Sequence, residues 1–389
     1  MKKSAILKTS VTVIITVILT LFSAFLLLGG DVSRVFEQIK LMKKITTVDS
    51  TVNKNAVYFD TESDQVGAKL TETYIDLIDD DYAMYFDKES FDKKEDERKG
   101  ISDKSIGISI AVKENEKYPT VMYVNRNSPG EKAGVKKGDK LLKINGTSLK
   151  GLTVAQTAEC IKEGEPINLV FKRGKKTYKA ELQQEEFIVD SVIWRMIDDV
   201  CVIKITEFEE STVAQFDEAM DFANENNAKA LVFDMRNNLG GYVDSCAKIL
   251  DKICPEGTLV RMKYKDGNIE EKYKSDNSEI DLPMAVIING NTASAAEIFA
   301  MNIRDFEKGK IVGETSYGKG IAQTTYKLSD GSAVKFTTAT VIDKNGKTYH
   351  KKGIEPDIKS VFTDEQNKNY LFLTDGQDTQ LQKALDAVK

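Results

Sequence analysis

The sequence predicts a multidomain protein of α+β and α/β type: an N-terminal membrane helix, a helical arm, a small β-rich domain with flanking helices, and an α/β core. Three observations predict this organisation. An uncharged apolar run fills residues 9–28, short β-patterned runs dominate residues 106–182, and strands alternate with helices after Phe187. The chain of 389 residues exceeds one ordinary domain, and its hydrophobic fraction of 41% is sufficient for packed cores.

The apolar run at the N-terminus, Thr9 to Leu28, is long enough for a helix to span the hydrocarbon core of a bilayer. Lysines precede it, and basic residues on the short side of an anchor hold that side in the cytoplasm. Residues 1–30 are therefore predicted to be a cytoplasmic stub and a single-pass anchor in the cell membrane, with the rest of the chain extracytoplasmic. The second choice is a cleaved signal peptide and a secreted body, although no small-x-small cleavage site follows Leu28.

Composition excludes several functions. Asp and Glu number 61 against 55 Lys and Arg, so the acidic balance argues against a nucleic-acid partner. The single histidine, His350, rules out poly-histidine metal sites, disfavours a Ser-His-Asp enzyme, and is predicted to be structural or exposed. The cysteines form no Cys-x-x-Cys pair and are too few for a disulfide framework. No metal or organic cofactor is predicted.

Residues 31–103 are predicted to form a helical arm and a charged linker. Apolar residues recur at helical spacing in the arm, at Leu70, Tyr74, Leu77 and Ile78. The acidic run 79–81 is interpreted as a solvated helix end, and the highly charged stretch 91–103 as the linker.

Two further domains follow, at residues 104–184 and 185–389. The first combines short strands with one helical stretch, Val154 to Ile161. In the second, strands are predicted at 200–205, 230–234 and 285–288 and helices at 211–226, 242–253 and 294–305, which implies a largely parallel sheet covered by helices. Asp330-Gly331 and Asn345-Gly346 are hairpin signals.

Ser294 is the first candidate for chemistry. It follows a predicted buried strand and opens a helix, where a hydroxyl is exposed beside the unpaired N–H groups of the helix N-terminus. The same segment, Ser294-x-x-Glu297, is also a capping box that stabilises a helix without catalysis. This segment alone favours the capping box.

Two glycine-containing segments supply further candidates. The stretch 313–320 nearly matches a phosphate-binding loop, but Gly320 replaces the required Ser or Thr and a strand follows instead of a helix, so nucleotide binding is rejected. It leaves Lys319 between two glycines, with Gln323 on the next strand. In the stretch 234–242 a buried strand ends in paired glycines, which can aim N–H groups into a cavity or form an ordinary turn.

Together these segments resemble the C-terminal processing peptidases of family S41, Ser-Lys proteases with a crotonase-like core. The resemblance extends from about Thr71 to the C-terminus and rests on Arg236-Asn237-Asn238-Leu239-Gly240-Gly241, Ser294-Ala295-Ala296-Glu297, Gly318-Lys319-Gly320 with Gln323, and the stretches 328–333 and 352–358. The separations 319 − 294 = 25 and 323 − 319 = 4 equal those of the family. The chain departs from the family at Leu239, where proline is frequent, and before Gly107, where a further glycine is usual.

The resemblance implies a mechanism. Ser294 would be the nucleophile, Lys319 a general base that acts when neutral, and Gln323 a neutral group that orients the amine. The N–H groups of Ala295 and of Gly240 or Gly241 would form the oxyanion hole. The family also makes the helical arm a candidate for homodimer formation.

The middle domain resembles a PDZ domain, through Asn127-Ser128-Pro129-Gly130 to Val135 and Gly138-Asp139 to Gly146. Such a domain binds a peptide C-terminus as an added strand. The resemblance implies that the Gly107-Ile108 backbone holds the terminal carboxylate and that Ile110, Val154 and Ile161 line the groove. Each of these three is equally explained as a core residue.

The predicted function is a serine endopeptidase that cleaves extracytoplasmic proteins and recognises their free C-termini through the PDZ domain. The alternative is a membrane-tethered PDZ scaffold with an inactive protease fold. An acyl-CoA enzyme of the related crotonase-like fold is disfavoured, because it would lack the Ser-Lys pair and the PDZ insert.

Overall fold

The computed structural model describes residues 32–57, 63–276 and 278–389. The predicted membrane helix, Thr9 to Leu28, lies outside these residues. Across the described ranges, no helix is both long enough and apolar enough to cross a bilayer. The chain divides into two compact units with a boundary after Leu70.

The arm is helical. Helix α1 is Val32–Asn55 and α2 is Ser63–Asp76. Leu70 and Tyr74 on α2 are 46% and 64% exposed, so the apolar spacing predicted a helix but not a buried face. Because α2 ends at Asp76, the acidic run 79–81 lies beyond the helix and does not form its end.

The predicted linker at 91–103 is wrong for most of its length. Strand β1 (Met84–Phe86) leads into helix α3 (Lys88–Arg98), whose N-terminus is capped by the Asp87 side chain accepting from the Ser90 N–H group at 2.7 Å. Phe91, on the first turns of this helix, is buried. The charges that suggested a linker form ion pairs three residues apart, such as Lys94 with Glu97 at 2.6 Å, which suit an exposed helix face.

The middle domain is an antiparallel sheet with two short helices. Its strands lie in the order β2-β3-β4-β6-β7, with β5 beside β4, and β2 is at an edge. The elements are β2 (Ile108–Ala111), β3 (Thr120–Val124), α4 (Pro129–Lys132), β4 (Lys140–Ile144), β5 (Thr147–Ser148), α5 (Val154–Ala158), β6 (Ile167–Arg173) and β7 (Lys176–Leu182). Val121, Leu141 and Leu169 belong to its separate core.

The larger domain is built on a mostly parallel sheet, in the order β17-β14-β13-β10-β9-β8, as the alternating pattern predicted. Only the β8–β9 pair is antiparallel among the described strands of this sheet. Every residue of β10 and β13 is buried, the pattern of strands covered on both faces. The elements are β8 (Val192–Ile197), β9 (Val200–Ile205), α6 (Glu210–Glu225), β10 (Ala230–Asp234), α7 (Val243–Ile253), β11 (Gly257–Tyr264), β12 (Ile269–Ser275), β13 (Met284–Ile288), α8 (Ala295–Asp305), β14 (Gly309–Gly313), β15 (Ile321–Lys327), β16 (Ala333–Ile342), β17 (Ile358–Lys359), α9 (Asp364–Lys368) and α10 (Thr379–Ala387).

Helices cover both faces of this sheet. One face packs in the main core with α7 and α8, where Phe233 and Phe299 meet edge to face at 5.1 Å. The other face is covered by α10, through Leu381 and Leu385.

A second sheet, β1-β16-β11-β12 with β15 beside β16, lies in the same unit. Asp330-Gly331 joins β15 to β16 as a hairpin, as predicted. Asn345-Gly346 forms a turn in which the Asp343 N–H group donates to the Lys347 carbonyl at 2.8 Å, but no strand pairs back after it in the described chain, so the second hairpin prediction is wrong.

The PDZ-like domain is joined to the larger domain by a paired neck. Ser105 bridges to Glu185 and Ile101 bridges to Ile188. Beside the neck, Arg126 bonds to the buried Asp190 at 2.6 Å and lies 4.7 Å from the Trp194 ring centroid.

Candidate active site

Ser294 occupies a sharp turn between β13 and the first turn of α8. Its backbone has φ 56° and ψ −119°, a conformation that non-glycine residues rarely adopt. The Glu297 carboxylate accepts from the Ser294 N–H group at 2.9 Å, so the predicted helix-cap contact is present at the backbone. The side chain is half-buried at the N-terminus of a helix, where N–H groups point outward.

The glycine loop after β10 lies directly against Ser294. A Cβ placed on Gly240 would lie 2.7 Å from the Ser294 Cβ and 3.0 Å from the Ala295 nitrogen, so only glycine fits this approach. Gly240 donates its N–H to the Asn238 side-chain oxygen at 2.8 Å. The N–H group of Gly240 is therefore already hydrogen-bonded. The other two predicted oxyanion donors, the N–H groups of Ala295 and Gly241, have no hydrogen-bond acceptor among the described residues.

A buried ion-pair network fixes the start of this loop. Arg236, 3% exposed, bonds to both carboxylate oxygens of Asp234, at 2.8 and 2.7 Å. It also contacts Asp378 at 2.9 Å, just before α10. Burial raises the pKa of Asp234, but the positive charges of Arg236 and Lys204 outweigh this effect and hold it well below its usual range.

Two glycines bring the Lys319 loop close to the turn at 350–353. A Cβ on Gly318 would lie 2.7 Å from the Gly353 nitrogen, and one on Gly320 would lie 2.7 Å from the His350 nitrogen. The sequence interpretation of these glycines, as residues that allow close backbone approach, is therefore confirmed.

The Lys319 side chain is half-buried, with Nζ 4.3 Å from the centroid of the Tyr82 ring. Burial lowers the pKa of Lys319, and repulsion from Lys335 lowers it further. The negative charges of Asp80 and Glu297 oppose this shift, but the pKa remains below its usual value. Within the described chain, no hydrogen bond joins Lys319 Nζ to Ser294 Oγ.

Gln323 is the first member of a hydrogen-bond network that the sequence did not predict. Its amide donates to Thr337 Oγ1 at 3.2 Å, and that hydroxyl donates to Asp80 at 3.0 Å. Asp80 also accepts from the Thr337 N–H group at 2.6 Å, so this member of the acidic run is not simply solvated. Burial raises the pKa of Asp80, but hydrogen bonds from Thr337 and the Tyr82 N–H group more than offset it, so the carboxylate is the favoured form.

A cavity of about 510 Å³ lies beside the Lys319 loop. His350, predicted to be structural or exposed, is half-buried and forms part of its wall, and the His350 Nδ1 atom is buried without a partner. The wall also includes Asp80, Tyr82, Tyr317, Phe336 and Thr337. Among the described residues, no group of His, Cys, Asp and Glu side chains is arranged to hold a metal ion.

A second cavity, of about 340 Å³, lies along the edge strand β2 of the PDZ-like domain. Gly107, Ile108 and Ile161 line it, together with Lys104 and Phe187. Ile110 and Val154 do not belong to its described lining: Ile110 packs against the domain core, and Val154 is 44% exposed at the start of α5.

Profiles of two known families match the chain. Peptidase family S41 matches residues 199–360, and the PDZ domain matches residues 120–173. These ranges include Ser294, Lys319 and Gln323 in the first and β3 to β6 in the second.

Curated relatives match over most of the chain. The carboxy-terminal processing protease CtpA of Bacillus subtilis is 31% identical over 82% of this chain and 69% of its own. A probable CtpA-like serine protease of Staphylococcus haemolyticus is 30% identical over 82% of this chain and 64% of its own. The solved structure of a "Putative S41 protease" from Bacteroides fragilis has the same fold, with a TM-score of 0.58 and 17% identity over 85% of this chain and 91% of that one.

Proposed function

The chain belongs to peptidase family S41, among its carboxy-terminal processing serine proteases, and from this premise we propose that Ser294, Lys319 and Gln323 form its catalytic site. The observation that carries the proposal is the meeting of three segments: the strained Ser294 turn, the glycine loop against it, and the Lys319 loop, whose backbone N–H group donates to the same Glu297 oxygen as the Ser294 N–H group. In α/β-hydrolases, a strained strand-to-helix turn likewise holds a serine nucleophile.

The reaction begins when neutral Lys319 accepts the proton of Ser294 Oγ as the oxygen attacks the scissile carbonyl. In the resting arrangement Nζ lies over the Tyr82 ring, so this step requires the lysine side chain to move toward Ser294. The N–H groups of Ala295 and Gly241 then stabilise the oxyanion. Lys319 returns the proton to the leaving amine, and water hydrolyses the acyl-enzyme by the same route.

Gln323 would orient the Lys319 amine once the lysine side chain has moved, since no hydrogen bond joins the two side chains among the described residues. Its amide is neutral, so it can orient the amine without the raised pKa that a carboxylate would cause. The Thr337 and Asp80 contacts support this role by fixing the strand on which Gln323 lies.

The PDZ domain is proposed to recognise the free C-terminus of the substrate. An edge strand beside an open cavity supports strand addition of an extended peptide. Gly107 has φ 67°, and Lys104 in the same lining carries a charge complementary to a carboxylate. Gly107, Ile108 and Ile161 are the proposed ligand contacts.

The cellular setting is proposed from the sequence alone. The apolar run at 9–28 would anchor the chain with its body outside the cell membrane, and α1 would contribute to a homodimer. Accessibility of the body to added protease in intact cells tests the first proposal, and sedimentation of the purified chain tests the second.

The test of the catalytic site is hydrolysis of an unfolded protein by the wild type and by Ser294→Ala. The variant is expected to lose hydrolysis while its circular dichroism is unchanged, because the half-buried hydroxyl contributes little to packing. Full activity in the alanine variant would contradict the proposal and would mean that Ser294 only caps the helix.

A further inference from the structure

Glu297 is a fully buried carboxylate that the proposed mechanism leaves without a role. It lies on the first turn of α8, three residues after Ser294, with 0% of its surface exposed. A buried carboxylate is unfavourable unless its oxygens are satisfied by donors.

Four donors converge on this carboxylate. One oxygen accepts from Ser316 Oγ at 2.5 Å and from the Gly318 N–H group at 2.8 Å. The other accepts from the Ser294 N–H group at 2.9 Å and from the Lys319 N–H group at 2.8 Å. These contacts use the full acceptor capacity of a carboxylate.

A helix cap does not account for this arrangement. A capping box requires only the contact to Ser294, whereas three of the four donors come from residues 316–319. The carboxylate therefore joins the backbone of Ser294 to the backbone of Lys319.

The charge of Glu297 also faces Lys319. The other charged groups that act on this lysine are Asp80, before β1, which raises its pKa, and Lys335 on β16, which lowers it. The neutral Tyr82 ring packs on the amine. Removal of the Glu297 charge therefore makes the lysine easier to deprotonate.

We infer that Glu297 is a positioning residue that holds the Ser294 turn and the Lys319 loop in one geometry. This inference rests on the proposed Ser-Lys mechanism. An error of about 1 Å in the placement of reacting groups can cost roughly 100-fold in rate. Loss of this tie should therefore lower kcat more than it changes KM.

The experiment compares three variants of the full chain on one peptide substrate. Glu297→Gln preserves the shape but removes the charge and places an amide donor against N–H donors. Glu297→Asp preserves the charge but shortens the reach. The matched control is Glu355→Gln, an exposed glutamate in the neighbouring loop whose side chain has no hydrogen bond to the site among the described residues; its backbone carbonyl accepts from Arg304.

We expect Glu297→Gln to lower kcat at least ~100-fold with little change in KM, and to move the rising limb of the pH profile to lower pH. Glu297→Asp should lower kcat without moving the limb, and Glu355→Gln should match the wild type. If Glu297→Gln does not fold by circular dichroism, the Asp variant decides: a folded protein with wild-type kcat overturns the inference.

Different results would contradict the catalytic role of Ser294 and the positioning role of Glu297. Hydrolysis by Ser294→Ala refutes the catalytic assignment itself. If Ser294→Ala is inactive but Glu297→Gln has the kcat and pH profile of Glu355→Gln, the catalytic assignment stands and the positioning role is wrong.

Discussion

At the scale of single residues, neighbouring groups shift the pKa of Lys319 in opposite directions. Burial and Lys335 favour the neutral amine, whereas Asp80 and Glu297 favour the ammonium. The amine also rests on the Tyr82 ring, whose face attracts a cation. In the proposed mechanism, the reactivity of Ser294 depends on the fraction of neutral Lys319, which single substitutions can change in a known direction.

The charge of Lys335 provides a pH test of this balance. A general base acts when neutral, so activity should rise with pH through the Lys319 pKa and then level off. Lys335→Met keeps the packing of this side chain near the Phe86 ring but removes its repulsion, which raises the Lys319 pKa. The rising limb of kcat/KM should therefore move to higher pH.

The matched control is Lys327→Met on the neighbouring strand β15, where the lysine packs near Phe91. Its profile should coincide with that of the wild type. A profile that is flat between about pH 5 and 9, or a limb unmoved by Lys335→Met, would contradict the assignment of Lys319 as the base.

At the scale of elements, the loop after β10 depends on the buried Arg236 network. Arg236→Ala leaves Asp234 as a buried charge without its main partner, which typically costs about 3–5 kcal/mol in the free energy of unfolding. Arg195→Ala is the matched control, because its ion pair with Asp375 also reaches the C-terminal segment but is 46% and 48% exposed. That pair should contribute less than about 1 kcal/mol.

Denaturant unfolding of both variants measures the difference. We expect a large decrease in the free energy of unfolding for Arg236→Ala and almost no decrease for Arg195→Ala. Equal losses would mean that the buried network does not stabilise the loop more than a surface pair does.

The elements that the sequence predicted well are those whose signal is local. Strands β9, β10 and β13 are short, predominantly apolar runs that the sequence shows directly. Strand β1 was missed because its pairing with β16 joins residues about 250 positions apart, such as Met84 and Lys335. The role of Asp80 was missed for the same reason, since its partner Thr337 lies 257 positions away.

Local charge was the least reliable sequence signal for secondary structure. Most of the linker predicted at 91–103 is helical, up to Arg98, and side chains of opposite charge lie one turn apart on it. Asn345-Gly346 contains the residues of a hairpin turn, but the chain that follows turns toward the Lys319 loop and supplies no return strand in the described structure.

At the scale of the whole molecule, the PDZ domain and the larger domain share a neck that also lines the proposed peptide groove. Lys104 and Ile106 on the incoming side and Phe187 and Val189 on the outgoing side face one cavity. A peptide bound there contacts the segments that connect the two domains. A bound peptide can therefore act in two ways: it can recruit the substrate, and it can activate the catalytic site.

Amidation of the substrate C-terminus tests recognition. Loss of a charged hydrogen-bond acceptor typically weakens binding by about 1.5–3 kcal/mol, so the amidated peptide should show a KM roughly 10–100-fold higher than its free-acid twin. Equal KM values for the two peptides would rule out recognition of the carboxylate.

The same pair of peptides separates activation from recruitment when added in trans. If the domain activates, a short free-acid peptide should raise kcat for a substrate that lacks a free C-terminus, and its amidated twin should not. An unchanged kcat would limit the domain to recruitment.

The central claim, that Lys319 activates Ser294 for covalent catalysis, is tested most directly by trapping the acyl-enzyme. Peptide esters acylate serine peptidases faster than water releases the acyl group, so the intermediate accumulates and acid quenching preserves it for mass spectrometry. The wild type should carry the acyl group on Ser294, and Lys319→Arg should not, because arginine cannot lose its proton in this pH range. Acylation at another residue, or at Ser294 of Lys319→Arg at the wild-type rate, would contradict the account.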